Sequence, residues 1–358
     1  MVAMSGGVDS SLAAALLKEQ GFEVMGATMR LWRPPADRRE GGEEGRKNLP
    51  DPAEDARRAA ETLAIPFYVF DFIQPFYERV VQYFIDEYKR GRTPNPCVVC
   101  NKRVKFDLFI EKARNLGAEL VATGHYARLS YNEEEGRYLL LKAHDKKKDQ
   151  TYFLYNLSQR QLQHILFPLG HYRKEETRRL AAAYGLEAAN KPESQEICFI
   201  PGNDYKEFLR REGKAKEEPG PIYDTEGNLL GRHKGITNYT IGQRKGLGLA
   251  LGKPVYVLEI NPCTNSLVVG GEEDNSFHGL YAEKLNFIAG KAPEQVLEAG
   301  IKIRYNAAET KGLLYPVVDG RARVEFPQPL KAVTTGQSVV FYLGEEVLGG
   351  GIISKAIK

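Results

Sequence analysis

Two short strings in this sequence bring together groups that could do chemistry. The first is Ser5-Gly6-Gly7-Val8-Asp9-Ser10-Ser11; the second is Pro96-Cys97-Val98-Val99-Cys100-Asn101, with a third cysteine far along the chain at Cys198. Glycines between a short apolar strand and a helix let backbone N–H groups approach an anion closely. The helix N-terminus adds the positive end of its dipole, and Ser5 and Ser10 add hydroxyl donors. This is the make-up of a phosphate cradle. It lacks the Gly-Lys-Ser/Thr ending of a Walker loop and the spacing of the dinucleotide fingerprint, so neither an ordinary P-loop ATPase nor a dehydrogenase fits. The bland alternative is a capped tight turn whose serines and glycines serve only the backbone.

The cysteine string, within Thr93 to Lys102, reads as a loop because of Pro94 and Pro96, leading into a helix that begins near Lys105. A cysteine just ahead of a helix N-terminus, with Lys102, Arg103 and Lys105 near, is expected to be partly thiolate at neutral pH, which suits a nucleophile. Cys-x-x-Cys spacing is shared, however, by redox pairs, zinc sites and iron–sulfur sites. Cys198, in Glu193-Ser194-Gln195-Glu196-Ile197-Cys198-Phe199-Ile200-Pro201, reads on its own as a small buried hydrophobe. Cys263, in a turn, has no chemical company and is read as structural.

The elements around these strings alternate. A helix over Ser10 to Gln20 is stopped by Gly21 and followed by a strand from Glu23 to Met29; a polar stretch from Arg33 to Pro50 reads as a mobile loop. A helix near Pro52 to Leu63, a strand at Ile65 to Phe72 and a helix from Phe76 to Lys89 come next. Phe106, Phe109, Ile110 and Ala113 mark one buried helix face ending at Gly117, ahead of a strand at Leu120 to Thr123. Strands alternating with helices imply an α/β domain with a doubly wound parallel sheet and ligands at the carboxyl ends of its strands. Beyond Lys206 the runs are short and β-rich, as at Val255 to Ile260, Leu267 to Val269 and Val339 to Leu343, with Gly349, Gly350 and Gly351 ahead of a last strand. The expected organisation is residues 1–206 as the catalytic domain, 207–275 as a small β domain, and 276–358 as a second β domain, a barrel.

With 358 residues, 42% hydrophobic and 27% charged, the chain has the composition of a globular protein of two or three domains. No apolar run nears the roughly 18 residues that span a bilayer, and Met1 to Ser10 has no basic-then-apolar pattern. A cytoplasmic location is expected, where structural disulfides are disfavoured. The net charge of +3 does not announce a nucleic-acid binder. Lys146 to Lys148, the group Arg210, Arg211, Lys214 and Lys216, and the pair Arg244 and Lys245 each read as solvated faces on charge alone.

The first string resembles the PP-loop of the ATP pyrophosphatases, adenine nucleotide hydrolase-like enzymes that adenylate an oxygen and release pyrophosphate; Asp9 matches the aspartate that helps hold magnesium and pyrophosphate. Only Met1, Val2 and Ala3 precede Met4, so a trimmed or misassigned start is the expectation. Taken together, the motifs resemble the tRNA-specific 2-thiouridylase family along nearly the whole chain. They include Asn95-Pro96-x-x-x-Cys100-Asn101, Ala122-Thr123-Gly124-His125-Tyr126, Lys148-Asp149-Gln150-Thr151-Tyr152-Phe153-Leu154, Tyr239-Thr240-Ile241-Gly242-Gln243-Arg244-Lys245-Gly246, and Gly349-Gly350-Gly351.

That resemblance implies ATP on Ala3, Met4, Ser5, Gly6, Gly7, Val8, Asp9 and Ser10, with Met29 and Gly124 lining the adenosine pocket. It implies Asn95, Pro96 and Cys97 beside the target base, and RNA contacts from His125, Lys148, Asp149 and Gln150. Arg304, Tyr305 and Gln337 would add contacts from the barrel, which is expected to hold tRNA. His125 on spacing alone is as well read as an ordinary hydrogen-bonding histidine. The implied substrate is a tRNA anticodon loop, whose bases can be splayed out. Cys198 would carry sulfur as a persulfide received from a sulfur-relay protein or cysteine desulfurase. Cys100 would attack it, and a Cys100–Cys198 disulfide would remain.

Many family members have aspartate where this chain has Cys97. That departure opens an alternative in which Cys97, Cys100 and Cys198 hold an iron–sulfur cluster; zinc on all four cysteines is poorer, since nothing places Cys263 near the others. Another PP-loop enzyme, such as a lysidine synthase or an amide-forming ligase, would need no Cys100 or Cys198. A non-catalytic RNA binder with a relic loop would release no AMP.

Overall fold

The computed structural model describes residues 1–32, 52–190, 197–214 and 218–358. The expected loop at 33–50, Glu193 to Glu196 of the Cys198 string, and Lys216 lie outside the described residues. The chain forms two compact units, each discontinuous in sequence: Met1–Arg79 with Cys100–Phe199, and Val80–Val99 with Ile200–Lys358.

The first unit is built on a five-stranded parallel sheet. Its strands are β1 (Val2–Ala3), β2 (Gly26–Arg30), β3 (Phe67–Asp71), β4 (Val121–Thr123) and β7 (Ile165–Leu166), in the order β3-β2-β1-β4-β7. Chain order therefore reverses at β1, which pairs Val2 with Gly26 on one side and with Ala122 on the other. The helix Val8–Glu19 follows β1, buried from Ser10 through Leu17. The run Ala13-Ala14-Ala15 makes this fit: side chains that small let a central helix be covered on several sides, here within a core that includes Leu12, Ala56, Ala60, Ala122 and Ala181. Lys18, in its last turn, donates to the Leu63 carbonyl at 2.5 Å, in keeping with a cation at a helix C-terminus. A hairpin of β5 (Arg128–Asn132) and β6 (Arg137–Leu141), not foreseen from sequence, follows β4.

Three expectations are corrected. Phe76 to Lys89 is not one α-helix: Ile73–Phe76 and Gln82–Lys89 flank a π-helical turn, Tyr77–Val81. Pro96–Cys100 is helical rather than loop, and a π-helical stretch, Asn101–Leu108, continues it to the helix Phe109–Asn115. The buried face survives this change, with Phe106, Phe109 and Ala113 at 0% exposure. Gly349 to Gly351 do not precede the last strand but lie inside it.

The second unit holds two sheets. The smaller comprises β8 (Gly220–Tyr223), β9 (Leu229–His233), β10 (Tyr256–Asn261) and β11 (Ser266–Gly270), in the order β10-β11-β8-β9 around a core of Ile222, Val257, Leu267 and Val269. The larger is a six-stranded barrel of β12 (Ser276–Phe287), β13 (Leu297–Lys302), β14 (Thr310–Leu314), β15 (Ala322–Lys331), β16 (Ser338–Leu343) and β17 (Glu346–Ile357), closed by β12 on β17. The glycines inside β17 allow that closure: a Cβ on Gly349 would stand 2.1 Å from the Asn286 carbonyl, and one on Gly351 2.8 Å from that of Glu283. The segment 80–99 belongs to this unit, with Tyr88 stacked on Tyr205, Phe84 edge-on to Phe208, and Thr93 paired with the Thr335 carbonyl.

Candidate active site

The Gly-rich loop lies where the strand order reverses, at the carboxyl ends of β1 and β4, the position at which open α/β sheets take ligands. Its shape is held from within. The Ser5 amide donates to Ser10 Oγ at 3.0 Å, and the Ser10 and Ser11 hydroxyls each donate to the Gly7 carbonyl at 3.1 Å. Gly6 has a φ of +75°, and a Cβ there would meet the Asp55 Cβ at 2.5 Å. Gly124, just past β4, approaches the helix start still more closely: an added Cβ would lie 2.7 Å from the Asp9 carbonyl carbon and 2.7 Å from the Ser10 nitrogen. Met29, near the end of β2, is half-buried.

Asp9, in the first helical turn, is the hub of a network. Lys174 Nζ donates to both its carboxylate oxygens at 2.7 Å, and the Tyr126 hydroxyl donates to Oδ1 at 2.8 Å. That hydroxyl also lies 2.9 Å from Thr177 Oγ1, which donates to the Lys174 carbonyl at 2.7 Å. The Lys174 ammonium stands 5.6 Å from the Tyr126 ring centroid as well. Tyr126 and Thr177 are 2% and 0% exposed. Sequence reasoning missed Lys174 and Thr177, and it quoted Tyr126 without a role. A signal was present: Lys174 opens the helix Lys174–Ala183, where a cation opposes the helix dipole.

Of the other expected contacts of the first unit, Gln150 is bonded to this network through Tyr126. Gln150 and Tyr126 are doubly joined, the Tyr126 amide donating to Gln150 Oε1 and the Gln150 amide to the Tyr126 carbonyl, each at 2.9 Å. Asp149 accepts from the Ala143 amide at 2.9 Å and from the Thr151 hydroxyl at 2.6 Å. The Lys148 amide donates to the Asp145 carbonyl at 3.0 Å. His125 is buried between Phe106 and Phe167, with Nδ1 2.7 Å from Thr123 Oγ1.

Burial, and secondarily the charge of Lys105, holds the His125 pKa well below the usual histidine value. The folded protein keeps this ring neutral, whereas the unfolded chain takes up a proton below about pH 6.5. Stability from this residue is therefore full above that value and falls as pH drops through it. Between pH 7.5 and 5.5 the native chain should therefore lose more stability than a His125→Gln variant does. Urea denaturation of both proteins at the two pH values measures this; equal losses would mean that His125 does not carry the effect.

The helix Pro96–Cys100 carries Cys97 and Cys100, three residues apart and so on one face. The chain passes from the second unit into the first within it. Asn95 begins it, accepting from the Cys97 amide at 3.2 Å, with Pro96 in the first turn. Cys97 is half-buried, Cys100 buried and Cys198 exposed. Cys100 therefore sits inside a helical run rather than just ahead of one, and Cys198 is not the buried hydrophobe its apolar neighbours suggest. Those neighbours anchor it instead: Phe199, 1% exposed, packs edge-on to Phe76 at 5.6 Å and tilted to Trp32 at 6.1 Å. Next to Cys100, Asn101 is 3% exposed; its amide nitrogen donates to the Phe153 carbonyl at 3.3 Å, while Oδ1 has no partner.

Among the described residues no three His, Cys, Asp or Glu side chains are grouped as metal ligands, and no helix is long and apolar enough to cross a membrane. In the second unit, Gln337 donates to the Thr93 carbonyl at 2.8 Å, Arg304 donates to the Ala332 carbonyl at 2.8 Å, and Lys302 lies 5.4 Å over the Tyr305 ring.

A nucleotide-type α/β domain followed by two β modules is the class this architecture defines, and family models match it in that order. They are described as the tRNA methyl transferase HUP domain over residues 1–202, the tRNA methyl transferase PRC-barrel domain over 206–271, and the aminomethyltransferase beta-barrel domain over 277–353. The chain is 52% identical over 358 residues to tRNA-specific 2-thiouridylase MnmA 1 of Caldanaerobacter subterraneus subsp. tengcongensis, covering 100% of this chain and 98% of that one. It is 49% identical over 357 residues to tRNA-specific 2-thiouridylase MnmA of Clostridioides difficile, covering 100% and 98%. To the enzyme of the same name from Moorella thermoacetica it is 51% identical over 357 residues, covering 99% and 98%. The chain belongs to the tRNA-specific 2-thiouridylase family.

Proposed function

We propose that this protein uses ATP to adenylate O2 of a wobble uridine in tRNA and then replaces that oxygen with sulfur carried by Cys198. The observation that carries the reading is the Gly-rich cradle with Asp9 at the reversal point of the sheet, in a chain that also carries Cys100 and Cys198, which an ordinary ATPase would not need. Uridine O2 attacks the α-phosphorus of ATP, forming an O-adenylated base and releasing pyrophosphate. The Cys198 persulfide is loaded by a sulfur-relay protein or cysteine desulfurase. The Cys100 thiolate attacks Cys198 Sγ, and the hydrosulfide released displaces AMP from the base. A Cys100–Cys198 disulfide is left, and an external dithiol restores it with two electrons.

The backbone amides of Ser5 to Ser10 would hold phosphates, Met29 and Gly124 would flank the adenosine, and Asp9 offers the oxygen ligands that suit Mg²⁺. Magnesium would supply charge neutralisation of the phosphates. Asn101 Oδ1, a buried acceptor without a partner beside Cys100, supports a donor-bearing substrate at that point. Asn95, Pro96 and Cys97 would lie by the base, with RNA contacts from His125, Lys148 to Gln150, Arg304, Tyr305 and Gln337. We keep the division 1–206, 207–275 and 276–358 as the functional one, with the barrel on tRNA. ATP, tRNA and reducing thiols together put the reaction in the cytoplasm.

The second reading is an iron–sulfur cluster on Cys97, Cys100 and Cys198, favoured by the shared helix face of Cys97 and Cys100. Methyl transfer would need neither a phosphate cradle nor Cys100 and Cys198, and it would release no AMP. One experiment separates these readings: purified protein is incubated with tRNA, ATP, magnesium and a cysteine desulfurase with cysteine as persulfide donor, anaerobically and with iron chelated, and AMP and 2-thiouridine are measured by mass spectrometry. Stoichiometric AMP and 2-thiouridine are expected. Product only after iron reconstitution, with sulfide-to-iron absorption that vanishes in Cys97→Ala, would establish the cluster instead.

A further inference from the structure

The cradle has a cation in an unexpected place. Ser5 to Ser11 contain no lysine or arginine, yet a triphosphate with magnesium keeps negative charge that backbone amides alone offset weakly. An ammonium reaches the cradle's Asp9 from 165 residues away, on the helix Lys174–Ala183. Lys174 is nine-tenths buried, while the Asp9 side chain that it grips is 31% exposed. The cation is thus the sheltered member of the pair and the carboxylate the accessible one.

The surroundings fix the ammonium at the cradle. The Lys174 amide is tied to Asp145 Oδ2 at 3.0 Å, its carbonyl to the Thr177 hydroxyl, and its side chain passes over the Tyr126 ring. Tyr126 meanwhile holds Asp9 through its own hydroxyl. Two opposite charges kept at the mouth of an anion site, on elements that the rest of the network fixes, form an exchangeable pair.

We infer that Lys174 is a phosphate-binding residue, held by Asp9 in the free protein and passed to a β- or γ-phosphate oxygen when the magnesium nucleotide enters. This rests on the nucleotide reading above. Asp9 would then offer its oxygens to the divalent cation and Lys174 its ammonium to the phosphates, so no charge would be left uncovered at either stage. When the α–β phosphoanhydride bond breaks, negative charge gathers on the departing pyrophosphate, and an ammonium there offsets it.

The test is calorimetric titration of the full chain with three probes: the α,β-methylene analogue of ATP with Mg²⁺, pyrophosphate, and AMP. Lys174→Met should weaken the analogue and pyrophosphate by at least about tenfold, with AMP unchanged within about twofold, because AMP lacks the phosphates concerned. Asp9→Asn, which releases the ammonium, should bind magnesium-free pyrophosphate several-fold more tightly than the parent, and Asp9→Asn/Lys174→Met should lose that gain. Equal weakening of all three probes in Lys174→Met, with a lowered melting temperature, would assign the pair a purely structural role and overturn the inference. So would unchanged affinities in a variant whose parent binds both nucleotides. A parent chain that binds neither AMP nor the analogue would instead remove the nucleotide reading, and this inference with it.

Discussion

Cys198→Ser should stop 2-thiouridine formation, with a loss on the order of 10³-fold or more, the scale on which removing a covalent nucleophile acts. AMP release in the presence of tRNA should continue for one turnover, because the adenylating cradle does not depend on this sulfur. Folding should be almost unaffected: Cys198 is exposed and the buried anchor, Phe199, is untouched, so a stability change below about 0.5 kcal/mol is expected. Cys100→Ser should give the same chemical phenotype with one difference. The persulfide on Cys198 should now accumulate, since nothing attacks it, and intact-mass measurement after loading with a sulfur donor would read it as one added sulfur. Thiolation at parental rates in either variant would exclude the two-cysteine route.

The second large effect belongs to a residue with no side chain. Gly124→Ala places a carbon 2.7 Å from two backbone atoms at the start of the first helix, and neither can rotate away. Overpacking of this kind costs about 1–3 kcal/mol, and the relief available is to push the helix start off β4. Since that start is the cradle, affinity for the ATP analogue should fall by at least about tenfold; displacement of a bound group by about 1 Å can cost as much as 10²-fold in rate. Gly21→Ala is the matching control. It has a φ of +86° and nothing within 4 Å, so it should lower stability by about 1 kcal/mol through backbone strain while leaving nucleotide binding alone. If the two variants bind the analogue equally well, close approach at Gly124 is not what shapes the site.

The parts of this architecture that rest on local rules could be read from the residues. The Gly-rich turn between strand and helix, the face of Phe106, Phe109 and Ala113, and the change to β texture each follow from neighbours a few positions apart, and the structure has all three. Misreadings came where one residue type has two uses. Pro96 reads as a breaker, although Asn95 followed by proline is also how a helix starts: a capping side chain, then a ring whose missing N–H costs nothing in the first turn. Gly349 to Gly351 read as a break ahead of a strand, but they are positions where one strand passes close to another, a demand set by β12 some sixty residues earlier. Lys174 shows the limit most plainly. A cation at a helix start is the one local sign it gives, and only the tertiary fold joins it to Asp9.

The assignment of residues 80–99 to the second unit bears on how the chain is made. Phe84, Ile85 and Tyr88 leave the ribosome well before Tyr205 and Phe208, the rings that cover Phe84 and Tyr88 in the finished protein. At about 5–20 residues per second, the wait is roughly 6–25 s, during which a greasy helix has no native lid. Residues 1–206 synthesised alone would hold Tyr205 but lack Phe208, leaving Phe84 without its ring partner. A nascent-chain chaperone, or a slow codon stretch placed after residue 211 rather than before it, would matter more for yield here than in a protein whose halves are written one after the other.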